Sequence, residues 1–171
     1  MKAVALGAHI LDVLVRYVTE IPEGQGGTLV DEIRLSPAGA AGGVAVTLAR
    51  LDAEVHSAGA VGKDNLGDVL LSELERFGVD CPHLVRREGV QTSTSVLPIR
   101  PTGERPALHV IGANGSCGDA YTAGFLRGLS LDRTPEEAAR LGFACASIVA
   151  QGLGTDPGDF DTNAVLARAE A

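Results

Sequence analysis

The alternation of strand-like and helix-like segments in the first half of the chain constrains its fold most. Residues 2–8 form a short apolar run typical of a buried strand, and residues 54–60 form a second. A helix-like segment follows each run, over residues 44–51 and 64–77. Strands that alternate with helices predict βαβ units on a parallel sheet. The sequence therefore predicts an α/β fold.

The composition narrows the class of protein. The chain has 171 residues, 45% of them hydrophobic, which is enough for one domain with an apolar core. The net charge is −8 and the only aromatic residues are four Phe and two Tyr, which argues against nucleic acid as a partner. No run approaches the roughly 20 apolar residues that cross a bilayer, and the apolar residues 1–7 are too few for a signal peptide. We expect a soluble protein without membrane contact.

The cysteines and histidines show no metal-binding pattern. Cys81, Cys117 and Cys145 are odd in number and far apart, which favours reduced thiols and a cytoplasmic location. The histidines lack the spacing of metal ligands, so we interpret each as a surface or packing residue. They are His9, His56, His83 and His109.

A turn of small residues opens into a helix in the second half of the chain. Residues 115–119 read Gly-Ser-Cys-Gly-Asp, and Tyr121, Phe125 and Leu129 follow at helical spacing. The start of a helix presents unpaired backbone N–H groups, and its dipole favours an anion there. Asp119 lies in the first turn, where a carboxylate is either a plain cap or a base for an incoming hydroxyl. The pattern alone favours the cap.

Other segments suggest how a ligand could be held. Asp12 interrupts an apolar strand candidate over residues 10–18, where a charge is costly unless it meets water, a partner or a ligand. The glycine-rich residues 36–43 would let a ligand approach the backbone, although close helix packing selects the same residues. Residues 92–100 and 105–111 alternate around a turn and predict a hairpin.

The ends of the helices carry their own signals. Asp64 is placed to cap the helix over residues 64–77, and Gly78 with Pro82 is typical of its end. Thr134 and Glu137 have the spacing of a capping box, which predicts a further helix after the one that contains Asp119. These signals are local and do not depend on the overall fold.

The turn before Asp119 resembles the second signature of the ribokinase-like (PfkB) carbohydrate kinases. That signature runs Asp-Thr-x-Gly-Ala/Cys-Gly-Asp before a helix rich in small residues, and residues 117–125 are similar to its second half. The resemblance implies a ribokinase-like parallel sheet flanked by helices, with a small β lid over the sugar. We expect lid segments at about 10–35, with an exposed strand over 28–35, and at 91–112, in a single domain over residues 1–171.

The resemblance gives the turn a catalytic role. In that family the matching aspartate takes the proton of the acceptor hydroxyl, so Asp119 is the expected catalytic base rather than a plain cap. The preceding backbone amides form an anion hole, which falls here on Ser116, Cys117 and Gly118. ATP and Mg²⁺ are the cofactors that the resemblance implies, and we assign no residue of this chain as a metal ligand.

The resemblance also implies four substrate-binding residues. Asp12 follows the first strand, where the family has an aspartate that binds sugar hydroxyls. Gly39 and Gly43 match the first signature, in which the position of Gly43 is an asparagine. Asn114 lies where the lid returns toward the site. Because Gly43 lacks the amide that would help select a particular polyol, the identity of the sugar is left open.

The chain departs from the family pattern at Gly115 and Ser116. In complete members the Gly-Ala-Asn segment and the catalytic turn are separated by more than half of the α/β core. The separating part contains an Asn-x-x-Glu motif that is associated with magnesium. Residues 112–114 abut that turn here, so we expect an incomplete core and a missing segment between 115 and 116. If residues 115 and 116 are instead directly joined in the protein, a sheet edge is left open. An open edge favours poor stability, dimerisation or an inactive protein.

Two functions follow from the resemblance. The first is ATP-dependent phosphorylation of a sugar or sugar-like hydroxyl, with a small sugar and ATP as partners and a homodimer formed through the β lid. The second is a non-catalytic sugar-binding fragment or an inactive remnant of a kinase. Ribose, fructose-type sugars, sugar acids and nucleosides are all open as substrates.

Overall fold

The chain folds into seven strands and five helices within the part that its computed structural model describes, residues 1–114, 117–149 and 160–170. The expected missing segment between Gly115 and Ser116 falls outside these residues. The strands are β1 (Lys2–Leu6), β2 (Ile10–Arg16), β3 (Glu32–Ala38), β4 (Glu54–Gly62), β5 (Val79–Arg87), β6 (Thr94–Ile99) and β7 (Leu108–Val110). The helices are α1 (Gly39–Arg50), α2 (Asn65–Arg76), α3 (Cys117–Ser130), α4 (Pro135–Val149) and α5 (Thr162–Ala169).

The first sheet is parallel and has β4 between β1 and β5. α1 and α2 pack against it around a buried apolar core. Val55 and Val61 of β4 and Leu70 and Leu74 of α2 are each at most 1% exposed. Full burial of such a side chain contributes about 1.5–3 kcal/mol, so this contact holds the helices on the sheet. The predicted α/β class and parallel βαβ arrangement are confirmed.

α2 begins and ends where the sequence predicts. The Asp64 carboxylate accepts a hydrogen bond of 2.8 Å from the Gly67 N–H, which caps the first turn. Gly78 follows the helix with a φ of +80°, a conformation that glycine adopts without strain. Both local signals are confirmed.

The strand β5 was not predicted. The sequence indicated only a helix end over residues 78–82, but β5 starts at Val79 and contains Pro82. Within the described residues β5 lies at the edge of the sheet, and Pro82 falls where its register with β4 is irregular. An edge position and a bulge are the two places where a strand tolerates a residue that has no N–H.

The second sheet, called here the small sheet, has the strand order β3-β2-β6-β7. β2 is antiparallel to β3 and parallel to β6, and β6 is antiparallel to β7, which confirms the predicted hairpin. β3 spans residues 32–38 instead of 28–35. Its pairing with β2 starts at Arg16 and Glu32, whose side chains form an ion pair of 2.6 Å in addition to the backbone hydrogen bonds. The small sheet is formed largely by the segments expected for the lid.

α3 and α4 pack closely through glycines. A Cβ at Gly124 would lie 2.8 Å from Cys145 Sγ, and one at Gly128 would lie 2.6 Å from Ala138 Cα. Small residues therefore let the two helices approach, as the small-residue pattern after Asp119 allows.

The start of α4 confirms the predicted capping box. The Thr134 N–H donates to Glu137 Oε2 over 2.9 Å, and the Glu137 N–H donates to Thr134 Oγ1 over 3.3 Å. α5, which was not predicted, packs against α4. No helix in the described ranges is long and apolar enough to span a membrane.

Candidate active site

The start of α3 lies over the carboxyl end of β1. Gly7 follows β1 with a φ of +135°, and a Cβ built on Gly118 would lie 3.6 Å from the Gly7 Cα. In open α/β sheets, ligands bind outside the carboxyl ends of the parallel strands. The fold thus brings the start of α3, which is distant in sequence, to the part of the first sheet where ligands are expected.

A cavity of about 380 Å³ lies between α3 and the small sheet. Gly118 and Asp119 line it from α3, and Ile10, Ser93 and His109 line it from the small sheet and its approach. This size is typical of a pocket for a small molecule. The other lining residues are Leu6, Gly7, Ala8, Ala40, Ile111 and Thr122.

Asp119 is exposed in the first turn of α3 and lines this cavity. The backbone N–H groups of the first helical turn have no partner within the helix, so the same turn offers donors for an anion. The Thr122 hydroxyl donates to the Gly118 carbonyl over 3.0 Å, one turn along the helix. An exposed carboxylate next to such N–H groups can accept a proton beside a bound phosphoryl group.

The predicted anion hole is described only in part. Gly118 lines the cavity and Cys117 begins α3, whereas Ser116 lies outside the described residues. Asn114 ends a short 3₁₀ turn, Gly112–Asn114, and its side chain also lies outside the described part. The roles assigned to these residues remain predictions.

Asp12 belongs to a polar row that crosses the small sheet. Ser36 and Ser95 are its direct neighbours on β3 and β6, and His109 on β7 is the neighbour of Ser95. Ser95 Oγ lies 3.0 Å from His109 Nδ1. Asp12 is half-buried and does not line the cavity directly, but His109 does. The row connects Asp12 with the cavity wall.

The environment of Asp12 shifts its acidity. Burial raises the pKa of its carboxyl group, while the Ser95 hydrogen bond and the nearby charges of His109 and Arg105 partly offset the effect. A carboxylate in such a setting needs hydrogen-bond donors for its remaining lone pairs. Sugar hydroxyls are donors of that kind.

Sequence reasoning did not place Ser95 and His109 side by side at the cavity. Among the histidines, His109 was interpreted as a surface or packing residue, but the structure places it on the cavity wall. The predicted hairpin already implied that these two strands pair. Their pairing brings Ser95 and His109 side by side. The register itself could not be read from the sequence.

Gly39 and Gly43 do not line the cavity that contains Asp119. α1 begins at Gly39, earlier than the predicted start at residue 44, and the N–H groups of Ala41 and Gly42 donate to the Ala8 carbonyl. Gly39 has a φ of +84°, and a Cβ there would lie 2.4 Å from the Ala8 oxygen. This glycine therefore lets α1 dock on the loop after β1. Gly43 faces open space.

His9 supports the loop between β1 and β2. It is fully buried, with Nδ1 2.9 Å from the Gly7 carbonyl and Nε2 2.5 Å from Ser57 Oγ. Burial lowers the pKa of His9 to about 4, although the hydrogen bond to Gly7 opposes the shift. A carbonyl only accepts, so the neutral ring carries its proton on Nδ1 and accepts from Ser57. Its interpretation as a packing residue is confirmed.

A second groove, of about 370 Å³, adjoins the same start of α3. It shares Gly7 and Gly118 with the first cavity, and its far wall is formed by Tyr121 of α3 and Phe143 and Ser147 of α4. The rings of Tyr121 and Phe143 meet edge to face at 5.2 Å. Gly118 therefore lies between two spaces of similar size.

Comparison with known proteins identifies the family. The family model described as "pfkB family carbohydrate kinase" matches residues 1–117 and 105–163, most of the chain. The chain belongs to the PfkB family of carbohydrate kinases. It is 34% identical over 119 residues to the ATP-dependent ribose-1-phosphate kinase of Halopiger xanaduensis, covering 69% of this chain and 40% of that protein. It is 30% identical over 128 residues to the ribokinase of Schizosaccharomyces pombe, covering 71% and 40%.

The PfkB fold is also found among solved structures. Arabidopsis thaliana ribokinase, solved with ribose and ATP, superposes with a TM-score of 0.58 at 17% identity, over 86% of this chain and 50% of that one. The ribokinase-like fold is thereby confirmed. This PfkB chain spans 40% of the length of both curated relatives, as expected for an incomplete core.

Proposed function

We propose that this PfkB chain contains the acceptor half of a kinase that phosphorylates a sugar hydroxyl with ATP. The observation that carries the proposal is one shared cavity. Asp119 and the start of α3 form one side of it, and His109 of the small sheet forms the other. A monosaccharide in this cavity would have a hydroxyl within reach of the carboxylate and of the helix N-terminus.

The chemistry requires little of the protein beyond position and charge. The Asp119 carboxylate takes the proton of the acceptor hydroxyl while the hydroxyl oxygen forms a bond to the γ-phosphorus of ATP. The bond between that phosphorus and its bridging oxygen breaks, and ADP leaves with the electron pair. The N–H groups of Cys117 and Gly118 stabilise the negative charge on the transferred group. Binding both reactants in one geometry accounts for much of the acceleration.

The described residues offer a place for a phosphoryl group of ATP but no cluster of ligands for Mg²⁺. The start of α3 suits a phosphoryl group, and the groove beside Phe143 adjoins it along α4. Within the described ranges no group of three or more His, Cys, Asp or Glu residues could hold a metal ion. Mg²⁺ that arrives with ATP keeps several waters and needs only one or two carboxylates besides the phosphates. A dedicated metal cage is therefore not required.

We propose a pentose as the acceptor. Two of them are named for ribose or ribose 1-phosphate, and the Arabidopsis structure contains ribose with ATP. The half-buried Asp12, with its raised pKa, supports the binding of a polyol at the small sheet. We extend this acceptor class to the present chain.

The small sheet also offers a surface for a homodimer. The face opposite the polar row carries Leu35, Val96 and Leu108, which are 39%, 38% and 70% exposed. Val13 lies between Leu35 and Val96 in the register, so these apolar residues form a continuous row. Burial of this row against a second copy would remove it from water.

Transfer of labelled phosphate from ATP to D-ribose and to ribose 1-phosphate tests the proposal. Asp119→Asn should lower the turnover about 10²- to 10⁴-fold, the usual contribution of a general base, and leave the dissociation constant of the sugar unchanged. Glu136→Gln, which alters an exposed carboxylate in the first turn of α4, is the matched control. Equal turnover in Asp119→Asn would exclude Asp119 as the base. Sugar binding by calorimetry without ATP binding or turnover would favour a sugar-binding module.

A further inference from the structure

A buried imidazole connects the first sheet to the loop after β1. His9 is fully buried, and its Nε2 lies 2.5 Å from the hydroxyl of Ser57 in β4, the middle strand. Its Nδ1 is the protonated nitrogen of the neutral ring and donates to the Gly7 carbonyl oxygen over 2.9 Å. A Cβ on Gly59 would lie 2.7 Å from that oxygen and 2.9 Å from Nδ1, so this glycine leaves the room that the bond needs.

The two carbonyl oxygens of this loop are both engaged. His9 donates to the Gly7 oxygen, and the N–H groups of Ala41 and Gly42 donate to the Ala8 oxygen. A free carbonyl oxygen carries partial negative charge and would repel a phosphoryl group. Because both oxygens have donors, the loop is compatible with an anion beside it.

The Ala8 N–H is the loop's remaining donor at the cavity. The peptide bond between Gly7 and Ala8 is trans, so this N–H is directed opposite to the Gly7 carbonyl, which faces His9. Ala8 lines the cavity that contains Asp119, and within the described ranges its N–H has no hydrogen-bond partner. The orientation of one peptide plane therefore decides whether this donor serves the cavity.

We infer that His9 is a positioning residue that orients the Ala8 N–H toward the transferred phosphoryl group. The inference rests on the proposed function and adds a donor from the loop after β1 to those of α3. The two lie together, since a Cβ on Gly118 would be 3.6 Å from the Gly7 Cα. A donor that is fixed before the reaction stabilises charge on the phosphoryl group without reorganisation.

Two variants of His9 separate positioning from packing. Asparagine places its amide nitrogen where Nδ1 lies, so His9→Asn retains the donor to Gly7, whereas His9→Leu fills a similar volume without a donor. His9→Leu should lower kcat about 10- to 100-fold, as expected when a donor to the reacting group is misplaced, and leave KM for D-ribose unchanged. His9→Asn should restore most of that loss.

Ser57→Ala is the matched control. It removes the hydrogen bond to Nε2 and lowers stability at the same buried ring, but it leaves the bond from Nδ1 to Gly7 in place. Urea unfolding should therefore show lower stability in Ser57→Ala and His9→Leu alike, and only His9→Leu should lose turnover. Equal kcat in these two variants would mean that His9 only packs, and would overturn the inference.

Amide chemical shifts test the donor without any need for turnover. In protein isotopically labelled at alanine nitrogen, the Ala8 amide signal can be identified by its loss in Ala8→Gly. It should shift downfield when ATP is added, both in the wild type and in His9→Asn, and should not move in His9→Leu. If the wild type transfers phosphate but its Ala8 signal does not move, the role of His9 is overturned and the proposed function stands. A wild type that neither binds ATP nor transfers phosphate overturns both.

Discussion

His9 and Ser57 form a buried hydrogen bond of 2.5 Å between the loop after β1 and the middle strand of the parallel sheet. The other ring nitrogen of His9 contacts the Gly7 carbonyl. Gly7 in turn lies beside the start of α3, since a Cβ built on Gly118 would lie 3.6 Å from its Cα. One neutral imidazole therefore supports the loop on which the candidate active site is built.

The burial of His9 predicts a pH dependence of stability. The folded state has a His9 pKa of about 4, against 6.5 for the free side chain, so the unfolded state binds more protons between these values. Stability should fall as the pH drops from about 6.5 to 4, by roughly 3 kcal/mol in total, and change no further from this group below pH 4. Urea unfolding of the wild type and of His9→Gln at pH 7 and pH 4 measures the difference.

The His9 prediction has an internal control. His83→Gln alters an exposed histidine and should retain the wild-type pH dependence of the free energy of unfolding. In His9→Gln the decrease of about 3 kcal/mol between pH 7 and pH 4 should be absent. Equal pH dependence in wild type and His9→Gln would show that His9 is not the responsible group.

Asp64 joins α2 to the start of the small sheet. Its carboxylate accepts from the Gly67 N–H, from the Thr92 hydroxyl at 2.6 Å and from the Thr92 N–H at 2.8 Å. Asp64→Ala should lower the free energy of unfolding by about 2–4 kcal/mol, because it removes a helix cap and leaves buried donors of Thr92 unpaired. Asp68→Asn removes only an exposed ion pair with Arg86 and should cost at most about 1 kcal/mol. Equal losses in the two variants would contradict this account.

Replacing two helical glycines by alanine should change the stability of the protein in opposite directions. A Cβ at Gly128 would lie 2.6 Å from the Ala138 Cα, so Gly128→Ala must push α3 and α4 apart at a cost of about 1–3 kcal/mol. A Cβ at Gly43 meets nothing within 4 Å, so Gly43→Ala should stabilise α1 by about 0.5–1 kcal/mol through helix propensity. Thermal unfolding of both variants checks the pair. A stabilised Gly128→Ala would mean that the helices pack less closely.

The apolar face of the small sheet predicts self-association. If two copies pair through Leu35, Val96 and Leu108, the wild type should sediment as a dimer and Leu108→Asp as a monomer. Leu51→Asp introduces the same charge at a 70% exposed leucine after α1 and should leave the mass unchanged. A monomeric wild type at high concentration would exclude this interface.

The site was only partly accessible to sequence reasoning. The turn before Asp119 could be singled out because its pattern consists of consecutive residues at one helix start. The position of His109 beside Ser95 and Asp12 could not be predicted, because these residues belong to other strands. Gly39 is predicted to bind the sugar, and the structure adds that a Cβ there would meet the Ala8 carbonyl. Sequence patterns cannot distinguish a glycine that admits a ligand from one that admits another part of the backbone.

The sequence by itself determined the features that arise within one turn or one hairpin. The cap at Asp64, the helix end at Gly78 and the capping box at Thr134 each require only neighbouring residues, so their signals survive without the rest of the fold. Tertiary structure alone decided that Pro82 lies in an edge strand and that the polar row from Asp12 reaches the cavity of Asp119. Both depend on strand register, which is set by pairing between segments far apart in the chain.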